Sequence, residues 1–287
     1  MRNRVSAMNW MPPAVAIAFL LVVIMVLPGI LVKRIDGSDP SGSEAAGHVE
    51  LVQQADPLIV PVYLTQERKV DRVPLETYVR NVLAAEMPAE FELEALKAQA
   101  IASRTYIVKR WLDGDFSQVP VPDALVTDTV AHQAYVTEEQ MKKNWPGPAY
   151  TERLDKLNRA VNETAGLIVT YQRKPIQAAF FSTSNGYTEN SEDYWRDYIP
   201  YLRSVSSPWD KELSPRYTTT VKMSLQDFAK RLGIESVSAL AASGGMKVLS
   251  TTAGHRIKSM VAGGKTFTGR EVREKLEELY RKTEHKR

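Results

Sequence analysis

The sequence contains no cysteine among its 287 residues. Disulfides and thiolate metal ligands are therefore both excluded. Histidine is scarce as well, and no H-E-x-x-H or other ligand spacing relates the four that are present: His48, His132, His255 and His285. We therefore predict that the protein binds no metal and needs no organic cofactor.

A strong excess of charge of one sign is also missing. Lys and Arg number 37 and Asp and Glu number 34, which leaves a net charge of only +3. A protein whose main function is to bind nucleic acid usually carries a much stronger basic bias. We predict no nucleic-acid partner.

The motifs that the sequence lacks exclude several classes of enzyme. No serine is followed three positions later by lysine, and K-T-G is absent, which excludes the penicillin-binding serine enzymes. The motifs of the serine-hydrolase elbow, the P-loop and the dinucleotide-binding turn are absent too. Chemistry based on carboxylates remains.

Only one long hydrophobic run is present, at residues 11–32. Its 22 residues carry no charge, which is long enough for a helix to cross a hydrocarbon layer of about 30 Å. A cleaved signal peptide is the alternative, but its apolar core is usually only about 7 to 15 residues long. We predict a single transmembrane helix.

This span divides the chain into four parts. Residues 1–10 form a short cytoplasmic tail, and residues 33–57, rich in Gly, Ser, Asp and Pro, form a flexible linker. We predict that residues 58–287 form one globular domain, truncated or altered after about residue 275. We predict a single-pass protein of the cell membrane whose globular part is extracytoplasmic.

Beyond residue 58, short β-rich runs and amphipathic segments follow one another without regular β-α-β alternation. This pattern predicts an α+β fold of helices packed with short antiparallel hairpins. Helices are predicted at 75–85, 89–111, 151–164 and 225–233, with a last helix after a capping box of Thr268 and Glu271. Strands are predicted at 58–64, 126–130, 167–171, 175–181, 216–223, 246–252 and 256–263.

Glu86 stands apart from the other glutamates around it. It falls at the end of the first predicted helix, because Met87 precedes a proline and is pushed away from helical angles. The three glutamates within residues 90–94 begin the next helix, where the helix dipole favours negative charge. The same dipole disfavours a carboxylate at a helix C-terminus. Glu86 is therefore a candidate catalytic residue, and an ordinary helix-end charge is the alternative.

One isolated carboxyl is sufficient for one kind of glycan cleavage. An ordinary glycosidase uses two carboxyl groups, whereas a lytic transglycosylase can use one, because the C6 hydroxyl of the substrate replaces water. To act as an acid near neutral pH the carboxyl must hold its proton, which desolvation by Ala84, Ala85 and Met87 favours. A muramidase that uses a second carboxylate, such as Asp193 or Asp197, is the alternative chemistry.

Three stretches together resemble the stage II sporulation protein D family. They are ETYVRNVLAAEMPAEFELEALKAQAIASRTY (76–106), FFSTSNGYTENSEDYW (180–195) and YLRSVSSPWD (201–210). The resemblance extends over about residues 58 to 275. It implies a membrane-anchored lytic transglycosylase that cuts denuded peptidoglycan glycan strands between N-acetylmuramic acid and N-acetylglucosamine during engulfment. It further implies partnership with engulfment membrane proteins, including the stage II sporulation amidase P and protein M.

The resemblance also implies a set of site residues. The glutamate of A-A-E-M-P, Glu86, would be the catalytic acid and base. The substrate-binding residues would be Lys97, Gln99, Ser103, Arg104, Ser182, Ser184, Asn185 and Tyr201, with Trp195 as a further candidate. From spacing alone, Lys97 and Arg104 would be a solvated helix face. For the aromatic residues Trp195, Tyr201 and Trp209, core packing is the favoured interpretation and sugar stacking is the alternative.

The sequence departs from the family pattern near its C-terminus. Relatives usually continue with a segment of the G-H-G-V-G-M-S-Q kind, and here the chain ends EELYRKTEHKR. This departure favours a second hypothesis, a non-catalytic peptidoglycan-binding or assembly module held on the membrane. Binding of glycan without turnover would select that hypothesis.

Overall fold

The computed structural model describes residues 49–51, 57–214, 217–218, 220–242 and 244–284, with side chains up to residue 276. The predicted tail, the predicted transmembrane helix and most of the predicted linker lie outside these residues. Within this part of the chain, no helix combines the length and the apolar character needed to cross a membrane.

The fold begins with a β-hairpin. Strands β1 (Ile59–Leu64) and β2 (Lys69–Pro74) pair antiparallel, and the short strand β3 (Val126–Thr127) pairs with β1 in parallel, so the strand order is β2-β1-β3. Side chains alternate along β1 because a strand has a period of two. Val60, Val62 and Leu64 accordingly face the interior.

Four helices pack around this small sheet or follow it. They are α1 (Leu75–Glu86), α2 (Leu93–Leu112), α3 (Glu138–Asn144) and α4 (Pro148–Asn162). The helices α1, α2 and α4 contact one another, and α1 also contacts β1 and β2. Apolar side chains from these elements, such as Val82, Leu96 and Leu157, are fully buried and form the larger hydrophobic core.

The second half of the described chain contains shorter elements. They are β4 (Thr170–Tyr171), β5 (Lys174–Pro175), α5 (Ser191–Tyr194), α6 (Asp210–Leu213), α7 (Leu225–Leu232), α8 (Val237–Ala242), β6 (Met246–Thr251), β7 (Ile257–Ala262), β8 (Lys265–Thr268) and α9 (Gly269–Glu284). Strands β6, β7 and β8 form an antiparallel sheet in that order. A smaller hydrophobic cluster, which includes Leu232, Met260 and Phe267, joins this sheet to α7 and α8.

The predicted mixture of helices with small sheets is confirmed, and so are most individual helices. Helix α2 begins later than predicted, because residues 89–91 form a turn in which the Phe91 N–H donates to the Pro88 carbonyl. The predicted capping box is present: Glu271 accepts from the Thr268 N–H, and the Thr268 hydroxyl accepts from the Glu271 N–H.

Four predicted strands are wrong or much shorter, and the one predicted at 126–130 retains only Val126–Thr127. Residues 217, 218 and 220–223 form no strand. The hairpin predicted over 167–181 retains only two residues on each side, in β4 and β5. One further backbone bond, from the Ile176 N–H to the Val169 carbonyl, continues the hairpin. Side chains of α2 also bind this segment, since Arg104 donates to the Leu167 carbonyl and the Val169 N–H donates to the Thr105 hydroxyl.

Candidate functional site

Glu86 is the last residue of α1, and its side chain is half-buried. Its Oε1 accepts a hydrogen bond of 2.8 Å from the backbone N–H of Ala134. The helix ends there, because Met87 adopts an extended conformation and its N–H makes the last bond, to the Leu83 carbonyl. The carboxyl is therefore held in one orientation at a helix C-terminus.

The neighbouring glutamates are placed differently. Glu90, Glu92 and Glu94 are exposed, and Glu90 pairs with Arg153 while Glu94 pairs with Lys97 at 2.7 Å. These are surface ion pairs of the kind that contribute little to stability. Among the four glutamates at positions 86, 90, 92 and 94, all of them described, only Glu86 is half-buried and accepts a hydrogen bond from a backbone N–H.

The segment that binds Glu86 follows strand β3, and its residues 128–137 form neither helix nor strand. Its residues Gln133 and Tyr135 are buried against Tyr78 and Asn81 of α1. Burial raises the pKa of Tyr135 to about 12 and that of Tyr78 well above its usual range, with the charge of Glu86 among the smaller causes for Tyr78. Sequence reasoning missed these residues, because no motif marks them.

His132 holds the same segment in place through hydrogen bonds of both ring nitrogens. Its Nδ1 accepts from the Thr127 N–H at 3.2 Å, so its proton is on Nε2, which lies 3.2 Å from the Ser117 carbonyl. Burial lowers the pKa of the imidazole below 6.5, and the Ser117 carbonyl opposes this shift. The neutral ring therefore ties this segment to Thr127 of β3 and to the Ser117 carbonyl.

Arg104 lies in a different environment from the one predicted. The side chain is fully buried, and it makes a bidentate ion pair with Glu76, with Nη2 and Nε at 2.6 and 3.0 Å from carboxylate oxygens. Its Nη1 donates to the Leu167 carbonyl. A side chain with no exposed surface offers nothing to a glycan in this conformation. The structure thus corrects the expected sugar contact to a structural ion pair between α1 and α2.

The other predicted residues of α2 are mostly engaged within the protein. Gln99 and Ser103 are buried, and the Gln99 amide donates to the Ser103 hydroxyl at 3.3 Å. Lys97 is partly exposed and pairs with Glu163 and Glu94, which raise its pKa. Of the predicted site residues on α2, Lys97 is therefore the one with surface available to a ligand.

The Ser-Thr-Ser-Asn cluster, residues 182–185, forms a tight loop. Ser184 is buried, and its N–H donates to Asp210 while its hydroxyl lies 2.5 Å from that of Ser207. Ser182 and Asn185 are exposed, and the Asn185 amide donates to the Gly254 carbonyl. Ser184 therefore stabilises the loop, and Ser182 and Asn185 are the loop residues whose polar groups have surface available to a ligand.

The three aromatic candidates differ in exposure. Tyr201 is half-buried, packs on Tyr171 with ring centroids 5.1 Å apart, and accepts from the Gln177 N–H. Trp195 and Trp209 are exposed by 42% and 58%. The core packing considered for these two tryptophans is therefore wrong.

Glu86 and the Ser-Thr-Ser-Asn loop bind different parts of the protein: Glu86 binds Ala134, and Asn185 of the loop binds Gly254. Across the part of the chain that the structure describes, no hydrogen bond or ion pair joins Glu86 to Lys97, Ser182 or Asn185. A cavity of about 460 Å³ lies at the end of α7 and the start of α8, and the predicted site residues do not line it. In the same described residues no group of three or more His, Asp or Glu is arranged to hold a metal.

Comparison with known proteins shows the family. A family model, SpoIID, described as stage II sporulation protein, matches residues 63–171. The chain is 40% identical over 274 residues to stage II sporulation protein D of Bacillus subtilis (strain 168), which covers 92% of this chain and 78% of the relative. The chain belongs to the stage II sporulation protein D family. The resemblance inferred from three short stretches is confirmed.

Two further relatives extend this result. Stage II sporulation protein D of Bacillus amyloliquefaciens is 42% identical over 269 residues, 90% of this chain and 76% of the relative. The amidase enhancer of Bacillus subtilis (strain 168) is 32% identical over 135 residues, 47% of this chain and 16% of that protein. The family membership supports a role in sporulation.

Proposed function

We propose that the protein is a membrane-anchored lytic transglycosylase that cleaves denuded peptidoglycan strands during engulfment. The observation that carries this proposal is Glu86, a half-buried carboxyl fixed by a backbone N–H at a helix C-terminus, in a member of a sporulation family. The uncharged run at 11–32 supports the anchor and an extracytoplasmic catalytic part.

The proposed reaction uses Glu86 twice. As an acid it donates its proton to the glycosidic oxygen between N-acetylmuramic acid and N-acetylglucosamine, and the C1–O bond breaks. As a carboxylate it then takes the proton of the muramoyl C6 hydroxyl, whose oxygen bonds to C1 and gives the 1,6-anhydro product. The Ala134 N–H donates to Oε1 of this carboxyl and so fixes the group that transfers both protons.

The second carboxylate that a muramidase needs is less well supported. Asp193 pairs with Lys258 at 3.0 Å and also accepts from Asn190, so its oxygens are already engaged. Asp197 is exposed. These placements favour the mechanism with one carboxyl.

The polar groups with exposed surface are the proposed sugar contacts. They are the Lys97 ammonium, the Ser182 hydroxyl and the Asn185 amide, while Gln99, Ser103, Arg104 and Ser184 stabilise the elements that carry them. Tyr201 and the exposed Trp195 add ring faces of the kind that stack on sugars.

A relative's name favours a second candidate function. The amidase enhancer matches about half of this chain, and its name describes stimulation of another enzyme. By analogy, this chain would bind peptidoglycan without turnover and assist an amidase at the membrane, with the sporulation amidase P and protein M as the proposed partners.

Incubation of the full chain with denuded glycan strands tests the reaction type. We expect 1,6-anhydro muramoyl products by mass spectrometry, in equal yield from the wild type and from the Asp193→Asn and Asp197→Asn variants. Reducing-end products without anhydro sugar, lost in either variant, would instead identify a muramidase. Strand binding with no product at all would select the non-catalytic module.

A further inference from the structure

Three consecutive residues of the segment after β3 are each hydrogen-bonded to α1. The Tyr78 hydroxyl donates to the Gln133 Oε1 at 3.1 Å, and the Asn81 amide donates to the Tyr135 hydroxyl at 3.0 Å. The residue between them, Ala134, donates its N–H to Glu86. The backbone group that binds the carboxyl is therefore fixed by side-chain bonds on both sides of it.

The two flanking bonds are fully internal. Tyr78, Asn81 and Gln133 are exposed by 0%, 3% and 2%, and the Tyr78 and Tyr135 rings stack with centroids 5.7 Å apart. Hydrogen bonds removed from water in this way hold their geometry strongly, because neither partner can exchange to solvent. The segment is consequently rigid where it meets α1.

Further contacts set the orientation of the Asn81 amide. Its Oδ1 accepts from the Arg80 Nε at 3.0 Å, which directs its Nδ2 to Tyr135. Arg80 is in turn anchored by Glu138 at the start of α3, at 3.4 Å. The chain of bonds thus extends from α3 through α1 to the backbone of residues 133–135.

Gln133 retains one unmatched polar group. Its Nε2 is buried and has no hydrogen-bond partner within the described part of the chain. A buried donor left unpaired disfavours the folded state, and each such group in a protein calls for an explanation. An apolar residue that only filled space here would not carry this cost.

We propose that Tyr78, Asn81, Gln133 and Tyr135 are positioning residues for the reaction of Glu86. By holding the Ala134 N–H at a fixed place, their bonds keep the Glu86 carboxyl in the rotamer from which it donates and then takes a proton. This inference rests on the proposed function, because it assigns these residues to the same catalytic carboxyl.

Single-atom variants test the positioning role. Tyr78→Phe and Tyr135→Phe each remove one hydroxyl and keep the stacked rings, and Tyr106→Phe is the matched control, on α2 at the edge of the same core. With denuded strands and the full chain, we expect kcat to fall roughly 10-fold in the first two variants, with KM unchanged, because orientation of a reacting group affects the transition state. The control should retain the wild-type kcat.

A double variant, assayed at a suitable temperature, separates an effect on positioning from an effect on stability. In a Glu86→Gln background, Tyr135→Phe should cause no additional loss of turnover, because its effect acts through the carboxyl. Each variant is assayed well below its own melting temperature. A KM increase at constant kcat, or an equal loss in both backgrounds, would overturn the proposal.

Hydrogen exchange at Ala134 gives a readout that needs no turnover. We expect the Ala134 amide to exchange at least roughly 10-fold faster in Tyr78→Phe, Tyr135→Phe and Glu86→Gln than in the wild type, because its partner is lost or displaced. Unchanged protection in both tyrosine variants would overturn the positioning role, whether or not the protein is active. A wild type without turnover but with the expected exchange would reject the proposed function alone.

Discussion

At the scale of single residues, the ion pair of Glu76 and Arg104 is costly to disturb. Both side chains are buried, and removal of one partner would leave an uncompensated charge in the core. We expect Glu76→Ala to lower the free energy of unfolding by about 3–5 kcal/mol, as breaking a buried pair does in other proteins. Chemical denaturation of the purified variant measures this loss.

A variant with both partners replaced shows whether the loss of stability comes from an unpaired buried charge or from a cavity. Replacing both partners, as in Glu76→Leu with Arg104→Met, should recover most of the lost stability, since no unpaired charge remains. A double variant at least as unstable as Glu76→Ala would contradict this account of Arg104.

His132 makes the stability of the folded state, including the segment that binds Glu86, depend on pH. A proton on Nδ1 would break the bond from the Thr127 N–H, and burial lowers the pKa of the ring, with Ser117 and Asp115 opposing and Arg110 assisting. The unfolded chain therefore takes up this proton first. Stability is complete above about pH 6.5 and falls as the pH drops through the lowered pKa of the folded state.

Melting curves of the wild type and of His132→Gln between pH 8 and pH 5 check this expectation. The difference between the two melting temperatures should narrow as the pH falls, because the wild type alone loses the contribution of a neutral imidazole. A constant difference over this range would exclude His132 as the cause.

At the scale of elements, the turn between β6 and β7 is held against the segment after the Ser-Thr-Ser-Asn loop. Glu189 accepts from the Gly254 N–H and from the Thr252 hydroxyl, and Asn185 donates to the Gly254 carbonyl. A Cβ at Gly254 would lie 2.5 Å from the Thr188 carbonyl oxygen, which is too close for any real contact. This turn therefore needs glycine for space, not for backbone conformation.

We expect Gly254→Ala to destabilise the protein by about 1–3 kcal/mol, as other insertions into packed sites do. Hydrogen exchange of the residue-254 amide, which donates to Glu189, should also accelerate. Gly264→Ala is the control, since a Cβ there meets open space and its cost is one of backbone angle alone. Equal protection of the residue-254 amide in both variants would contradict the close contact.

The elements also show where sequence reasoning succeeds. The capping box of Thr268 and Glu271 and the end of α1 at Glu86 depend on residues close in sequence, so local rules predict both. The pairing of Arg104 with Glu76 spans 28 residues, and the binding of Glu86 by Ala134 spans 48. Contacts of that separation depend on tertiary packing, which periodicity does not encode.

At the scale of the whole molecule, the two hydrophobic clusters should differ in stability. The larger one unites β1, β3 and helices α1, α2 and α4, whereas the smaller joins α7 and α8 to the sheet of β6, β7 and β8. Every residue of β6 is exposed. Regions with fewer buried apolar contacts open at lower free energy.

Hydrogen exchange monitored by mass spectrometry tests this difference. Amides of β6 and β7 should exchange faster than those of β1 and α2 under native conditions, and they should lose protection first when urea is added. Simultaneous loss of protection in both regions would show a single cooperative unit and contradict the expectation.

The proposed activity of the whole molecule depends on one carboxyl, that of Glu86. The measurement that tests it most directly is mass spectrometry of the products released from denuded strands by the wild type and by Glu86→Gln, with Glu90→Gln, an exposed glutamate paired with Arg153, as the control. We predict anhydro products from the wild type and the control, and a yield lowered by about 10²–10⁴ in Glu86→Gln, as expected on removal of a general acid and base. Anhydro products released by Glu86→Gln at the wild-type rate would contradict the central claim.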